Sequence, residues 1–99
     1  MKIESTSDGN KVTLSPEGRI DTVTAPELEE ATAELPRDVS ELVFDLSKVE
    51  YVSSAGLRVI IGAQKRMAAN GGKMSVANLA PAVMEVFEIT GLAGVLHIF

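Results

Sequence analysis

Hydrophobic positions change period several times along the chain, and each change marks an element. Near the start, Val12 and Leu14 alternate with Thr13 and Ser15, the period of a strand with one buried face. Lys2 to Ser7 reads as its partner across a tight turn at Asp8-Gly9-Asn10, residues that tolerate the positive φ a hairpin needs. Only Ile3 is clearly apolar in this first strand, which suits a sheet edge. Pro16 and Gly18 then break or bulge the ladder before Ile20.

The period then lengthens. Leu28, Ala31 and Leu35 fall at i, i+3 and i+7, one stripe of a helix that opens at Thr24 and is closed by Pro36. Thr24-Ala25-Pro26-Glu27 has the spacing of a capping box, with proline tolerated in the first turn. Glu41-Leu42-Val43-Phe44-Asp45-Leu46 is a nearly continuous apolar run of strand length, as in a central strand covered by helices. A loop from Ser47 to Glu50 leads to Tyr51-Val52 and on to Ser53-Ser54-Ala55-Gly56. From Leu57 to Asn70 the pattern is helical, with Leu57, Ile60, Ile61, Ala63, Met67 and Ala68 on one side and Arg58, Lys65, Arg66 and Ala69 on the other. Asn70-Gly71-Gly72 ends it, where glycine permits a left-handed cap.

Lys73 to Ala77 is a short strand, so residues 41–77 form a strand–helix–strand unit. Right-handed crossover makes its two strands parallel. A third helix follows Asn78-Leu79-Ala80-Pro81, with Val83, Met84 and Phe87 inward and Gly91 as its stop, and Val95 to Phe99 is a last short strand. The order β-β-α-β-α-β-α-β describes a small α/β sandwich with a mixed sheet.

Composition narrows the chemistry. At 99 residues the chain is the size of one domain, residues 1–99, with enough surface to bury for one core. It has no cysteine and one histidine, which removes disulfides, zinc–thiolate sites, iron–sulfur clusters and thiol nucleophiles. The net charge of −5 argues against gripping nucleic acid by its phosphates or docking on an anionic membrane. No apolar run approaches a membrane span, and Met1-Lys2-Ile3-Glu4 is not a signal-peptide start. A cytoplasmic protein without membrane insertion, metal or cofactor is the expectation.

Three motifs carry candidate chemistry. Asn70-Gly71-Gly72-Lys73 is not a phosphate loop, because Met67 and Met74 stand where that motif needs glycine and a hydroxyl, and the segment precedes a strand. His97, between Leu96 and Ile98, is expected to face solvent by alternation. Ser53 and Ser54 stand at the start of the best-patterned helix. One serine suffices as an N-cap, and here there are two. A hydrolase would make one a nucleophile, yet Gly-x-Ser-x-Gly is absent and no histidine is suitably ordered. A regulatory hydroxyl is the other reading, since helix amides and the dipole stabilise an added phosphate.

Val52-Ser53-Ser54-Ala55-Gly56-Leu57-Arg58-Val59 resembles the signature of STAS domains, specifically the anti-sigma factor antagonists of bacterial partner-switching systems. Gly18-Arg19-Ile20-Asp21 with Thr24-Ala25 and Leu28, Leu42-Val43-Phe44-Asp45-Leu46, and Ala80-Pro81-Ala82-Val83 with Phe87 and Thr90-Gly91-Leu92 are similar to the family's other segments, in order, over nearly the whole chain. The resemblance implies a STAS-like α/β domain, a mixed sheet of four to five strands with helices packed against it. It also implies a non-enzymatic switch. The unphosphorylated antagonist binds an anti-sigma factor with serine kinase activity, thereby freeing a sigma factor. That kinase modifies the serine before the helix, and a PP2C-type phosphatase reverses the change.

The family motif is commonly Asp-Ser-[Ser/Thr]-Gly-Leu. Aligning on Gly56-Leu57 places the phosphorylated serine at Ser54, the family's second hydroxyl at Ala55 and its aspartate at Ser53, a departure from the pattern. The resemblance thus implies a partner-binding face of Asp21, Ser53, Ser54, Gly56 and Arg58, with Gly56 admitting close backbone approach. Met84 and Leu92 are candidates for an apolar part of that face, and the free protein is expected to be a monomer. The alternative is a non-phosphorylated STAS interaction module of a transport or signalling complex.

Overall fold

A computed structural model describes residues 1–99. The elements are β1 (Ile3–Asp8), β2 (Lys11–Pro16), β3 (Gly18–Ile20), α1 (Ala25–Ala33), β4 (Glu41–Asp45), β5 (Val49–Val52), α2 (Ser54–Ala69), β6 (Lys73–Ala77), α3 (Pro81–Ile89), a 3-10 turn at Leu92–Gly94, and β7 (His97–Ile98). Five strands form one sheet in the order β1-β2-β4-β6-β7. The β1–β2 hairpin is antiparallel and the other pairings are parallel, including β4 with β6, so the sheet is mixed and β1 is an edge as expected.

The sequence pattern did not anticipate a second sheet. β3 and β5 pair with each other, in parallel, apart from the main sheet. Three or four residues are too few to show a period. What makes these segments strands is their contact across just over thirty residues of chain.

One core joins both sheets to the helices. Leu42 and Phe44 of β4 lie beside Met74 and Val76 of β6. These residues meet Leu28 of α1 and Ile60, Ala63 and Met67 of α2. The same core continues beneath the small sheet through Ile20, Val52, Val83 and Phe87, with α3 packed on β5. The expected helix faces hold with local changes. Ile61, Met84, Ala31 and Leu35 are half-buried and Ala68 is exposed, while Thr32 is buried with its hydroxyl donating to the Glu29 carbonyl at 2.7 Å. His97 is exposed, and no helix is long and apolar enough to cross a membrane.

α2 ends as its glycines predict. Gly71 takes a φ of 75°, and the Gly72 and Gly71 amides donate back to the Met67 and Ala68 carbonyls at 2.8 and 3.1 Å, satisfying orphan carbonyls of the last turn. The start of α1 departs from expectation, because Thr24 makes no side-chain cap bond and the capping box is not formed. Glu27 instead binds the Met1 ammonium at 2.9 Å. The Thr24 amide, which Glu27 would have bonded in a capping box, donates to Asp21 Oδ1.

Candidate functional site

The parallel register pairs Ile20 with Val52, so β3 and β5 leave their sheet side by side. The Ser53 amide donates to the Ile20 carbonyl at 2.8 Å, which ties the entry of α2 to the segment carrying Asp21. Sequence-distant residues are brought to one face by this pair of strands.

At the start of α2 the two serines divide their roles. Ser53 is extended (φ −87°, ψ 173°) and its Oγ accepts the Gly56 amide at 3.3 Å, making it the N-cap. Ser54 is the first helical residue, is exposed and takes no part in the cap. The stability assignment follows: Ser53→Ala should cost about 0.5–2 kcal/mol as a lost cap. Ser54→Ala should stay within about 0.5 kcal/mol of the parent protein, as a surface change does. Urea unfolding of both variants checks the order, and a greater loss at Ser54 would contradict it.

Asp21 organises the neighbouring loop. Its Oδ1 accepts from the Val23 and Thr24 amides at 3.0 and 3.1 Å, while the Thr24 hydroxyl accepts the Asp21 amide at 2.9 Å and donates to the Arg19 carbonyl at 2.7 Å. The Thr24 amide is the chief reason that the carboxyl is held below its ordinary value. A smaller cost of burial opposes it, and the Val23 amide, the Thr24 hydroxyl and the Arg19 guanidinium at 3.9 Å add to it. Arg19 in turn lies over the Tyr51 ring, 4.3 Å from its centroid.

A depressed carboxyl favours the fold when ionised. Its contribution is complete above the unfolded value near 3.8 and is lost as pH falls through the lower folded value. Asp21→Asn should therefore flatten the acid limb of stability below pH ~4, leaving the share of Asp45. At Asp45, burial raises the carboxyl but is outweighed by hydrogen bonds from Ser47 and Asn78, so it is lowered too. Chemical denaturation as a function of pH reads this, and equal acid limbs in both proteins would contradict the assignment.

Two grooves flank the start of α2. One, of about 220 Å³, is lined by Ser54, Leu57, Arg58 and Ile61 of α2 with Thr90 and Leu92 beyond α3. The other, of about 380 Å³ between α1 and α2, includes Glu29, Ala55, Arg58, Gly62 and Arg66. Arg58, exposed, lines both. The largest groove, about 620 Å³ and lined by Arg37, Met67 and Asn70, lies towards the other end of α2. No group of three His, Asp or Glu side chains is placed to hold a metal ion.

The structure ties Ser53 to Ile20 and sets Ser54 and Arg58 on one groove, whereas Asp21 lines neither groove. Gly56 is buried, and a Cβ there would meet Ile20 Cγ2 at 2.6 Å, so its missing side chain makes room for Ile20. Leu92 lines the Ser54 groove, whereas Met84 does not. Pattern reading overlooked Ile61 and Thr90 in that groove, and the exposed apolar Val23 and Ile89 beside Asp21 and Thr90. An isolated valine among Asp21, Thr22 and Thr24 was the available signal for the first of these.

Comparison with known proteins bears on the family and the fold. Residues 2–99 match the STAS domain family. The anti-sigma-B factor antagonist of Bacillus subtilis is 30% identical over 98 residues, spanning 99% of this chain and 90% of that protein. The crystal structure of an anti-sigma factor antagonist from Mycobacterium paratuberculosis superposes with a TM-score of 0.84 at 29% identity, covering 99% of this chain and 84% of that one. The Bacillus cell fate determinant SpoIIAA, in its phosphorylated form, shares the fold with a TM-score of 0.77 over 99% of this chain and 91% of that chain, at 15% identity. With its mixed sheet, its helices and a family match over nearly its whole length, the chain belongs to the STAS domain family.

Proposed function

We propose that this protein is an anti-sigma factor antagonist. Unphosphorylated, it binds an anti-sigma factor through the face around the start of α2 and so frees a sigma factor. The anti-sigma factor acts as a serine kinase on Ser54, which switches the antagonist off, and a PP2C-type phosphatase restores it. The protein itself performs no catalysis in this scheme. Its relatives' names support the partner class, and a protein of the same fold that exists in a phosphorylated form supports the mode of regulation.

The observation that carries the reading is the division between the serines. Ser53 is committed to the cap, so Ser54 is exposed with its hydroxyl outside the helix hydrogen bonds. Beside it lies a shallow groove with Leu57, Ile61 and Leu92, a surface for an apolar side chain of the partner. A phosphate on Ser54 would stand at the mouth of that groove without disturbing any core residue.

Incubation with candidate anti-sigma kinases and ATP, followed by mass spectrometry, tests the assignment. Ser54→Ala should abolish incorporation and Ser53→Ala should retain it. Phosphate found on Ser53, or no phosphate from a kinase shown to bind the protein, would overturn the reading.

A further inference from the structure

We infer that Arg58 is the internal counter-ion of a phosphate on Ser54, held in reserve between two grooves until the modification recruits it. The inference rests on Ser54 being the modified residue. Ser54 and Arg58 are four residues apart on α2, which puts their Cβ atoms about 5–6 Å apart on one face. Both line the groove that Leu92 and Thr90 close from the other side. Arg58 therefore reaches the phosphate position along its own helix, with no rearrangement of the backbone.

Arg58 is also the uncommitted cation of this face. It is exposed and takes part in none of the ion pairs of the chain. Arg19 is already stacked on Tyr51 and beside Asp21. Arg66, two turns beyond Arg58 on α2, is roughly 18 Å from Ser54 along the axis. The acids are accounted for as well. Asp21 is engaged by two amides and Arg19, and Glu29, across the α1–α2 groove from Arg58, forms no ion pair with it.

A phosphoserine changes this balance, because it brings about −1.5 to −2 charges and three strong acceptor oxygens where Glu29 offers one charge across a groove. A guanidinium matches phosphate with paired N–H donors. Phosphorylation then has two effects on the face. It adds an anion at Ser54 and withdraws the Arg58 cation from any acidic group of a partner.

Protein with phosphoserine installed at position 54 during translation needs neither kinase nor partner, and phosphorus NMR follows its second phosphate ionisation. Arg58→Ala should raise the titration midpoint by about 0.2–0.4 pH unit over the parent phosphoprotein, the size expected of one i, i+4 pair. Arg58→Lys should keep most of the parent's low midpoint. The difference should shrink in about 1 M salt, where the screening length is about 3 Å. Circular dichroism of each variant checks the fold. Equal midpoints in parent and Arg58→Ala would overturn the inference while leaving Ser54 as phosphoacceptor intact. Failure of kinase labelling would remove the phosphoacceptor assignment without changing this titration.

Discussion

Phosphorylation at Ser54 should weaken binding to the anti-sigma factor about 100-fold, a change of about 2.7 kcal/mol, while leaving the fold unchanged. The fold is insulated because Ser54 is exposed and the cap of α2 belongs to Ser53, so the modification breaks no hydrogen bond that holds the helix. The complex is not insulated. A partner that covers the groove of Leu57, Ile61 and Leu92 must strip water from a phosphate at its mouth. One imperfectly compensated charge in such a contact supplies the whole loss. Ser54→Asp carries fewer charges and oxygens, so its effect should be smaller in the same direction. Calorimetric titration of both forms against the partner, with circular dichroism alongside, separates the alternatives. Equal affinities would defeat the switch. A lost fold would move its origin from the interface to stability.

Gly56→Ala should destabilise the protein by about 1–3 kcal/mol, an over-packing cost. The added Cβ would lie 2.6 Å from Ile20 Cγ2 and 3.0 Å from Val52 Cγ1. Neither neighbour can give way easily. Both are β-branched and stiff at χ1, and both are buried in the small sheet, with Ile20 at 0% exposure. The gain in helix propensity from alanine, up to about 1 kcal/mol, offsets only part of this. Gly62 provides the control within the same helix, since a Cβ there meets nothing within 4 Å. Gly62→Ala should therefore stabilise by about 0.5–1 kcal/mol. Urea midpoints at unchanged slope measure both. A Gly56→Ala protein as stable as its parent would mean that α2 can lift from β3 and β5 without cost.

The contact that makes Gly56 intolerant also explains why the site sits where it does. Gly56 lets the first turn of α2 lie directly on Ile20, and the Ser53 amide binds the Ile20 carbonyl at 2.8 Å. That seat ties Ser53, and with it the start of α2, to the residue that precedes Asp21. A variant that pushes α2 outward should disturb partner binding through the displaced start of the helix.

Much of this architecture is written in local pattern. The alternation of Val12 and Leu14, the apolar run from Leu42 to Leu46 and the helical spacing of Leu57, Ile60, Ala63 and Met67 each determine an element from its own residues. The reason is that burial of one face demands a fixed period. Gly71 and Gly91 likewise ended their helices as expected, since a left-handed residue is a local requirement. The Ser53-Ser54 pair marked the site by its place before a helix.

Only the tertiary structure decided the rest. Gly18–Ile20 and Val49–Val52 became a sheet of their own because each found the other, a pairing that three or four residues cannot announce. The Thr24 hydroxyl went to the Arg19 carbonyl, the Thr24 amide to Asp21 and Glu27 to the Met1 ammonium, because several partners competed for the same donors and charges. Which serine caps α2 and which is free, and that Gly56 makes room for Ile20, depended on how the helix meets β3 across more than thirty residues of chain. Periodicity determines which side of an element is buried, but it carries no record of what that side is buried against.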